Sequence, residues 1–491
     1  MTDTPDKPRL IIGPFNRVEG DLEVRLDLAG DHVESARVTS PLYRGFEAML
    51  VGKPASDALT YAPRICGICS VSQSIAAARA LAGVRPAGLE RRLPPANGAH
   101  ATNLTHAVEN LADHITHFYL FFMPDFARPT YADEPWHAVT ATRFMALKGS
   151  AAAQMLPARA GLMNLMGILA GKWPHTLSIQ PGGSTRAITR AEQARLRLML
   201  ATFRAFCETT LFAAPLEAIA GLSSRDTLYA WAESNQGDFA HFLRLSQALG
   251  LARLGRTALR HISFGAYPSG DGPLFPRGVF HAETATASPL PLGAITEDIS
   301  HAWYRGENGP PRSATPTPDM ANPDAYSWCK APRLDGHVAE VGALSRQLVA
   351  GHPLLRDMVT RDGASVESRV TARLVEVALV TLAMEQWLAA IDPAAPFQDT
   401  RPRLDTGDAM GLTEAARGSL GHWLRLDQGR ITHYQIIAPT TWNFSPRDAT
   451  GTPGPLEQAL VGTPIRPGES EPVAVQHVVR SFDPCMVCTV H

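Results

Sequence analysis

The sequence predicts a mainly α protein with a small β part (α+β): a long helix bundle with an N-terminal β-hairpin and irregular peripheral segments. Three observations predict it. Leu22, Val24, Leu26 and Leu28 alternate with polar neighbours, Gly30-Asp31 offers a turn, and Val33 to Val38 returns, which is hairpin patterning. Beyond residue 47 the periodicity is mostly helical. Between about 264 and 333 prolines and glycines are dense and periodicity disappears, which reads as an irregular excursion with short strands. No repeat is visible, so the chain reads as one domain over 1–491, with its β part at 15–47 and the excursion at 264–333.

In chain order, the first informative helix runs from Asn103 to Phe122. Leu104, Val108, Leu111, Ile115 and Phe118 form one continuous apolar face. A second stripe holds Asn103, His106, Asn110, Asp113 and His117. Asn103 and His106 read as a solvated face, whereas for Asp113 and His117 a buried, hydrogen-bonded role weighs equally. Thr189-Arg190-Ala191-Glu192 is a capping box that opens a long Arg/Leu/Ala helix. Ser365 to Ile391 makes another, stopped by Asp392-Pro393.

Composition narrows the function class. The 45 basic and 47 acidic residues leave a net charge of −2, which gives no electrostatic basis for binding nucleic acid or an anionic membrane. No apolar run is long enough to span a bilayer; Val377 to Met384 is bounded by Glu376 and Glu385. Asp3 and Asp6 stand where a signal peptide would be basic and then apolar, and six cysteines in 491 residues are no disulfide framework. These features predict a cytoplasmic protein, although a subunit can be exported by a signal on its partner.

The chemistry is concentrated in two Cys-x-x-Cys pairs, Cys66/Cys69 and Cys485/Cys488, at opposite ends of the chain. They suggest one four-thiolate metal site that pins the C-terminus into the body of the protein. Thiolates suit zinc, copper(I), iron–sulfur clusters, and nickel or iron. Cys-x-x-Cys lets both sulfurs reach one metal from a single turn, and Gly67 relaxes the backbone between them. A structural zinc site is the plain reading, yet zinc ribbons place their pairs close together in sequence. A redox dithiol would want a β-α-β context that neither pair has. A catalytic metal centre assembled from both chain ends is the third reading. Composition alone leaves zinc slightly ahead.

The flanking residues change the balance. Arg64-Ile65-Cys66-Gly67-Ile68-Cys69, with Asp483-Pro484-Cys485 through Cys488 to a terminal His491, resembles the large subunit of the nickel–iron hydrogenases. The likeness extends to Phe15-Asn16-Arg17-Val18-Glu19-Gly20, Arg44-Gly45-Phe46-Glu47, His117-Phe118-Tyr119, Gly171-Lys172-Trp173-Pro174-His175 and Gly182-Gly183. It continues through Glu414 to Gly418 and Pro439 to Asp448, in family order and over essentially the whole chain.

The resemblance implies a hydrogenase, an H2:acceptor oxidoreductase. Cys66 and Cys485 would bind nickel terminally; Cys69 and Cys488 would bridge it to an iron carrying two cyanides and a carbon monoxide. Arg417 would sit over those diatomic ligands, with Pro439 and Thr440 lining the cyanide pocket and Asp113 and Asp483 pairing with Arg417. Glu47, His491 and the Ile436 carbonyl would hold a magnesium ion. Cys485 would take the proton from heterolytic cleavage of H2, and Glu19 would relay it outward. Without the resemblance, Glu47 reads as a surface acid and Arg417 as a helix cation. Cys207 and Cys329 cannot ligate a cluster alone, so they read as buried small hydrophobes, and the iron–sulfur clusters belong to a small-subunit partner.

Some positions depart from the common family pattern. Gln73 stands where many members have His, Ile68 and Phe121 replace smaller residues along the gas path, Ala416 replaces a Pro, and the chain stops at His491, where most precursors carry a removable tail: either the tail was never encoded or this is the processed form. Ile68, Gln73, Phe121 and the missing tail resemble the regulatory branch. That implies a cytoplasmic hydrogen sensor signalling to a histidine kinase, with an energy-conserving uptake enzyme as the alternative and a structural zinc protein as the alternative from another class.

Overall fold

A computed structural model describes residues 9–84, 93–270, 272–400 and 405–491. The acidic Met1 to Asp6 start, read above for the absence of a signal peptide, lies outside them. The fold is mainly helical with a minor β component.

The expected hairpin is formed by Glu23–Ala29 and His32–Thr39, paired antiparallel with Leu26 opposite Ala36 and Val24 opposite Val38. All four of those side chains are buried, as the alternation requires. Gly30 turns the chain with a positive φ of 65°. A third strand, Arg9–Ile12, pairs with Glu23–Ala29 and was not expected.

The helical body is organised around Val366–Ala390, capped by Ser365 and ended at Ile391 as expected. It packs against Ala96–Thr116, Arg190–Phe206 and Ala343–Ala350. Its residues are buried almost all the way round, as befits a helix surrounded by others. The Arg190–Phe206 helix carries the full reciprocal capping box between Thr189 and Glu192.

The Ala96–Thr116 helix departs from expectation on one face. Asn103 and His106 are buried, not solvated. The excursion folds back over them: Asn103 donates to the Pro268 carbonyl at 2.8 Å, and the His106 ring packs on Tyr267. A polar stripe on a helix is solvated only when nothing else covers it, and helix periodicity is silent about a segment 165 residues away in the chain. The helix continues through a π-helical turn, His117–Phe122. The excursion itself carries short strands, among them Gly278–His281, Ile295–Asp298 and Ala331–Leu334.

A second three-stranded sheet, Gly407–Ala415, Gly418–Asp427 and Arg430–Ile437, went unread in the sequence. From Gly411 to Leu424 every residue is buried, so the alternation that marks a half-exposed strand is missing. One face packs directly on the Ser70–Gly83 helix, where a Cβ on Gly411 would lie 1.9 Å from the Ala76 carbonyl oxygen. No helix among the described residues is long and apolar enough to cross a membrane.

Gly411→Ala therefore forces the sheet off the helix and costs at least about 3 kcal/mol. Thr189→Ala removes one cap and costs about 1 kcal/mol. Chemical denaturation of the two variants checks the order; a smaller loss for Gly411→Ala would contradict the packing.

Candidate metal centre

The Ser70–Gly83 helix begins immediately after Cys69, which occupies its N-cap. The second pair sits on a four-residue helix, Met486–Thr489, with Cys485 at its N-cap. Two main-chain bonds clasp this terminal piece to the N-terminal region: Glu19 N donates to Pro484 O at 3.3 Å, and Met486 N donates to Glu19 O at 2.7 Å. Gly20 is required there. Its φ is 79°, and a Cβ would lie 3.0 Å from the Val487 side chain and 3.1 Å from its nitrogen. Arg44 then ties both motifs together, donating to the Ile65 carbonyl before Cys66 and to the Val487 carbonyl at 3.1 Å.

The result is a buried cluster. Cys66 Sγ lies 3.5 Å from Cys485 Sγ, Cys69 Sγ 3.1 Å from Cys488 Sγ, and Cys485 Sγ 3.0 Å from Cys488 Sγ. All four sulfurs fall within 4.8 Å of one another, and all four cysteines are free thiols. Sulfurs sharing one metal at bonds near 2.3 Å stand about 3.0–3.8 Å apart for S–metal–S angles of about 80–110°, so the donor set fits a thiolate-bound metal. In the cluster itself Cys66 is the favoured thiolate, because its three thiol neighbours donate to it. Burial pushes the Cys485 thiol up.

Arg417 stands at the tip of the hairpin between Gly407–Ala415 and Gly418–Asp427. Gly418 makes that tip possible: with φ 130°, a Cβ would lie 2.7 Å from Gly342 N. The tip is fixed from behind by Arg346, which donates to the Ala415 and Ala416 carbonyls and pairs with Glu376 and Glu414. Arg417 Nη1 lies 2.9 Å from Asp113, while Nη2 and Nε bond the Asp483 side chain and carbonyl. Burial would raise both acids. Arg417 outweighs it at Asp483, which is held below the usual range. At Asp113 burial wins and the carboxyl is pushed up to about 8, since one guanidinium cannot fully serve two carboxylates.

Thr440 Oγ accepts from Cys485 N at 3.2 Å, and Pro439 opens the Pro439–Asn443 turn beside it. Glu47, Ile436 and His491 also meet. Glu47 accepts from Ile436 N at 2.8 Å and lies 3.3 Å from His491 Nε2, which is 2.6 Å from the Ile436 carbonyl. Sequence reasoning missed Lys330, whose ammonium lies 2.9 Å from Glu47 and 3.3 Å from Glu297. Burial alone would raise the Glu47 carboxyl, but Lys330 and His491 hold it down to about 2.

Glu19 is half-buried; burial and the nearby Cys66 raise its carboxyl against Arg417 and Arg44. Gln73 accepts from His422 at 2.8 Å, and the other nitrogen of that ring bonds Tyr434. Ile68 and Phe121 are both partly exposed. Cys207 and Cys329 are fully buried away from the cluster. Arg44 was legible as part of a motif; nothing local in the sequence pointed to Lys330 or Arg346.

The chain matches the family described as nickel-dependent hydrogenase over residues 44–146 and 126–491. It is 27% identical to the periplasmic [NiFeSe] hydrogenase large subunit of Desulfomicrobium baculatum, the alignment covering 99% of this chain and 95% of that one. It is 26% identical to the Hydrogenase-2 large chain of Escherichia coli K12 over 98% and 97% of the two chains. The uptake hydrogenase large subunit of Azotobacter chroococcum shows 27% over 98% and 95%. The Ni-Fe-Se hydrogenase of Desulfovibrio vulgaris Hildenborough superposes with a TM-score of 0.83 at 27% identity, covering 99% and 100%.

These relatives overturn the regulatory assignment and, with it, the hydrogen-sensing role, the histidine-kinase partner and the cytoplasmic location. They include a periplasmic and an uptake enzyme, each alike along the whole chain, whereas the sensor reading stood on Ile68, Gln73, Phe121 and the chain end. Side chains beside a site adjust gas access and thiolate environment; they do not fix where the electrons go. The acidic first residues carried little weight as a guide to location when a partner can supply an export signal. By family and by its four-thiolate centre, the chain belongs to the nickel-dependent hydrogenases and is a hydrogenase enzyme, an H2:acceptor oxidoreductase.

Proposed function

We propose that this chain, acting as a single unit, is the active-site subunit of an energy-conserving, uptake-type nickel–iron hydrogenase that oxidises H2 in the periplasm. The observation that carries it is the buried cluster of four thiols from both chain ends beneath Arg417, in a chain alike throughout to uptake enzymes. Cys66, Cys69, Cys485 and Cys488 would together hold a nickel–iron group whose iron carries cyanide and carbon monoxide. When bound, that group polarises H2 and accepts its electron pair.

The chain's own residues do the rest. Arg417, paired with Asp483 and flanked by Asp113, would offer fixed donors toward the diatomic ligands, with Pro439 and Thr440 lining the cyanide pocket. The Cys485 sulfur would take the two protons of H2 in turn, and Glu19 would pass each one outward. The main-chain pairing of Glu19 with Cys485 and its neighbours supports that relay, as does the raised carboxyl, which can hold a proton closer to neutrality. Each H2 yields two protons and two electrons. The electrons would leave through iron–sulfur clusters of a small subunit, because the two remaining cysteines are too few to ligate a cluster. Ile68 and Phe121 line the gas path.

Magnesium would be held by Glu47, His491 and the Ile436 carbonyl. Both ring nitrogens of His491 face carbonyl oxygens at 2.6 Å, those of Cys488 and Ile436. A neutral imidazole has one N–H, so one of these contacts needs a cation or a second ring proton. Carboxylate and carbonyl oxygens are donors magnesium favours.

The purified two-subunit complex is expected to contain nickel and iron, to show infrared bands from cyanide and carbon monoxide, and to reduce a dye under H2. A zinc-only preparation without those bands would end the proposal. Glu19→Gln should lower hydrogen–deuterium exchange by about 10²-fold or more at unchanged metal content, because an amide cannot relay a proton; exchange at the wild-type rate would send the proton by another route. Replacing Ile68 by Val together with Phe121 by Leu should make activity lost faster under dioxygen. Equal inactivation rates would show that the bulk of these side chains does not matter.

A further inference from the structure

Glu109 lies on the Ala96–Thr116 helix, 2% exposed, and belongs to no part of the mechanism above. Its carboxylate is aimed at the start of another helix. One oxygen accepts from Val71 N at 2.8 Å and the other from Ser72 N at 2.9 Å. The Ser70 and Ser72 hydroxyls add bonds of 3.3 and 3.0 Å, and Trp173 Nε1 a fifth of 3.0 Å. Val71 and Ser72 are the second and third residues of the Ser70–Gly83 helix, whose N-cap is Cys69.

The first amides of a helix lack partners within it, and the N-cap side chain normally accepts from the second or third. Cys69 makes no such bond. Its sulfur faces the cluster instead, 3.1 Å from Cys488 Sγ. A sulfur cannot both cap its own helix and ligate a metal on the other side.

We infer that Glu109 is a positioning residue for the Cys66/Cys69 pair: it caps the Ser70–Gly83 helix from outside and leaves the Cys69 sulfur free for the metal. This rests on reading the four thiols as the nickel–iron site. The carboxylate holds two successive amides with its two oxygens, which fixes the rotation of the first turn and so the direction in which Cys69 projects. Trp173 donates to the same carboxylate and anchors the Gly171–His175 loop to it.

The test uses the purified complex and three variants, read by nickel and iron per chain and by the infrared bands of the iron's diatomic ligands. Glu109→Gln keeps the size but replaces one acceptor oxygen with a donor, and should shift or split the bands with metal retained. Glu109→Ala removes the cap and should lower nickel occupancy several-fold, with Glu109→Gln restoring most of it. Trp173→Phe removes a donor to the carboxylate without touching the helix and should leave the bands in place. Wild-type bands and occupancy in the Glu109→Gln variant would overturn the inference, whether or not the alanine variant folds. So would an equal shift from Trp173→Phe. Wild-type protein lacking nickel and iron would instead refute the metal reading beneath it.

Discussion

The main-chain clasp between Glu19 and the Pro484–Met486 segment is the constraint on which the site depends. A chain end is ordinarily the loosest part of a protein, and closing a loop over almost the whole chain is entropically unfavourable. The end must therefore be held redundantly. Backbone bonds seat Cys485, Arg44 bonds the carbonyls next to both thiol motifs, and His491 is fixed through both ring nitrogens. Gly20 lets the two backbones approach closely enough for this to happen. No one contact would suffice; together they turn a terminus into half of a metal site.

Charge is the second cost of burying such a site. Arg417, Arg346 and Lys330 are each nearly inaccessible, and each stands against two carboxylates. An unpaired buried charge costs several kcal/mol, about 3–5 when a partner is removed. The arrangement is layered. Arg346 with Glu376 and Glu414 sets the hairpin tip, the tip presents Arg417, and Arg417 bonds Asp483, two residues before Cys485. Lys330 meanwhile neutralises Glu47 beside the chain end. The electrostatics and the geometry are thus solved by the same residues.

What could be read beforehand follows from which signals are local. The hairpin at 23–39, the capping box at Thr189 and the helix from Ser365 to Ile391 are set by short-range patterns, and all three stand in the structure. The sheet at 407–437 was invisible because a strand buried on both faces loses its alternation. Asn103 and His106 were misjudged because what covers them comes from a distant segment. At the site, the thiols were legible as paired motifs, and Arg417, Glu47 and Glu19 only through family likeness. Lys330, Arg346 and Glu109 carry no local mark at all: each is an ordinary charged residue until the fold supplies its partner.

The two thiol pairs are held by different physics, and that difference divides the labour of the site. Cys66 and Cys69 precede a fourteen-residue helix packed against a sheet, with its first amides satisfied by Glu109. Cys485 and Cys488 ride on a four-residue turn, too short to be stable alone. The first pair is therefore rigid by construction, and the second acquires its geometry from the surfaces it docks on. Local opening in proteins follows the elements with the least internal support. The C-terminal pair, which contains the sulfur proposed to take the proton, is thus the half whose position answers most directly to Glu19, Thr440 and Arg417 around it.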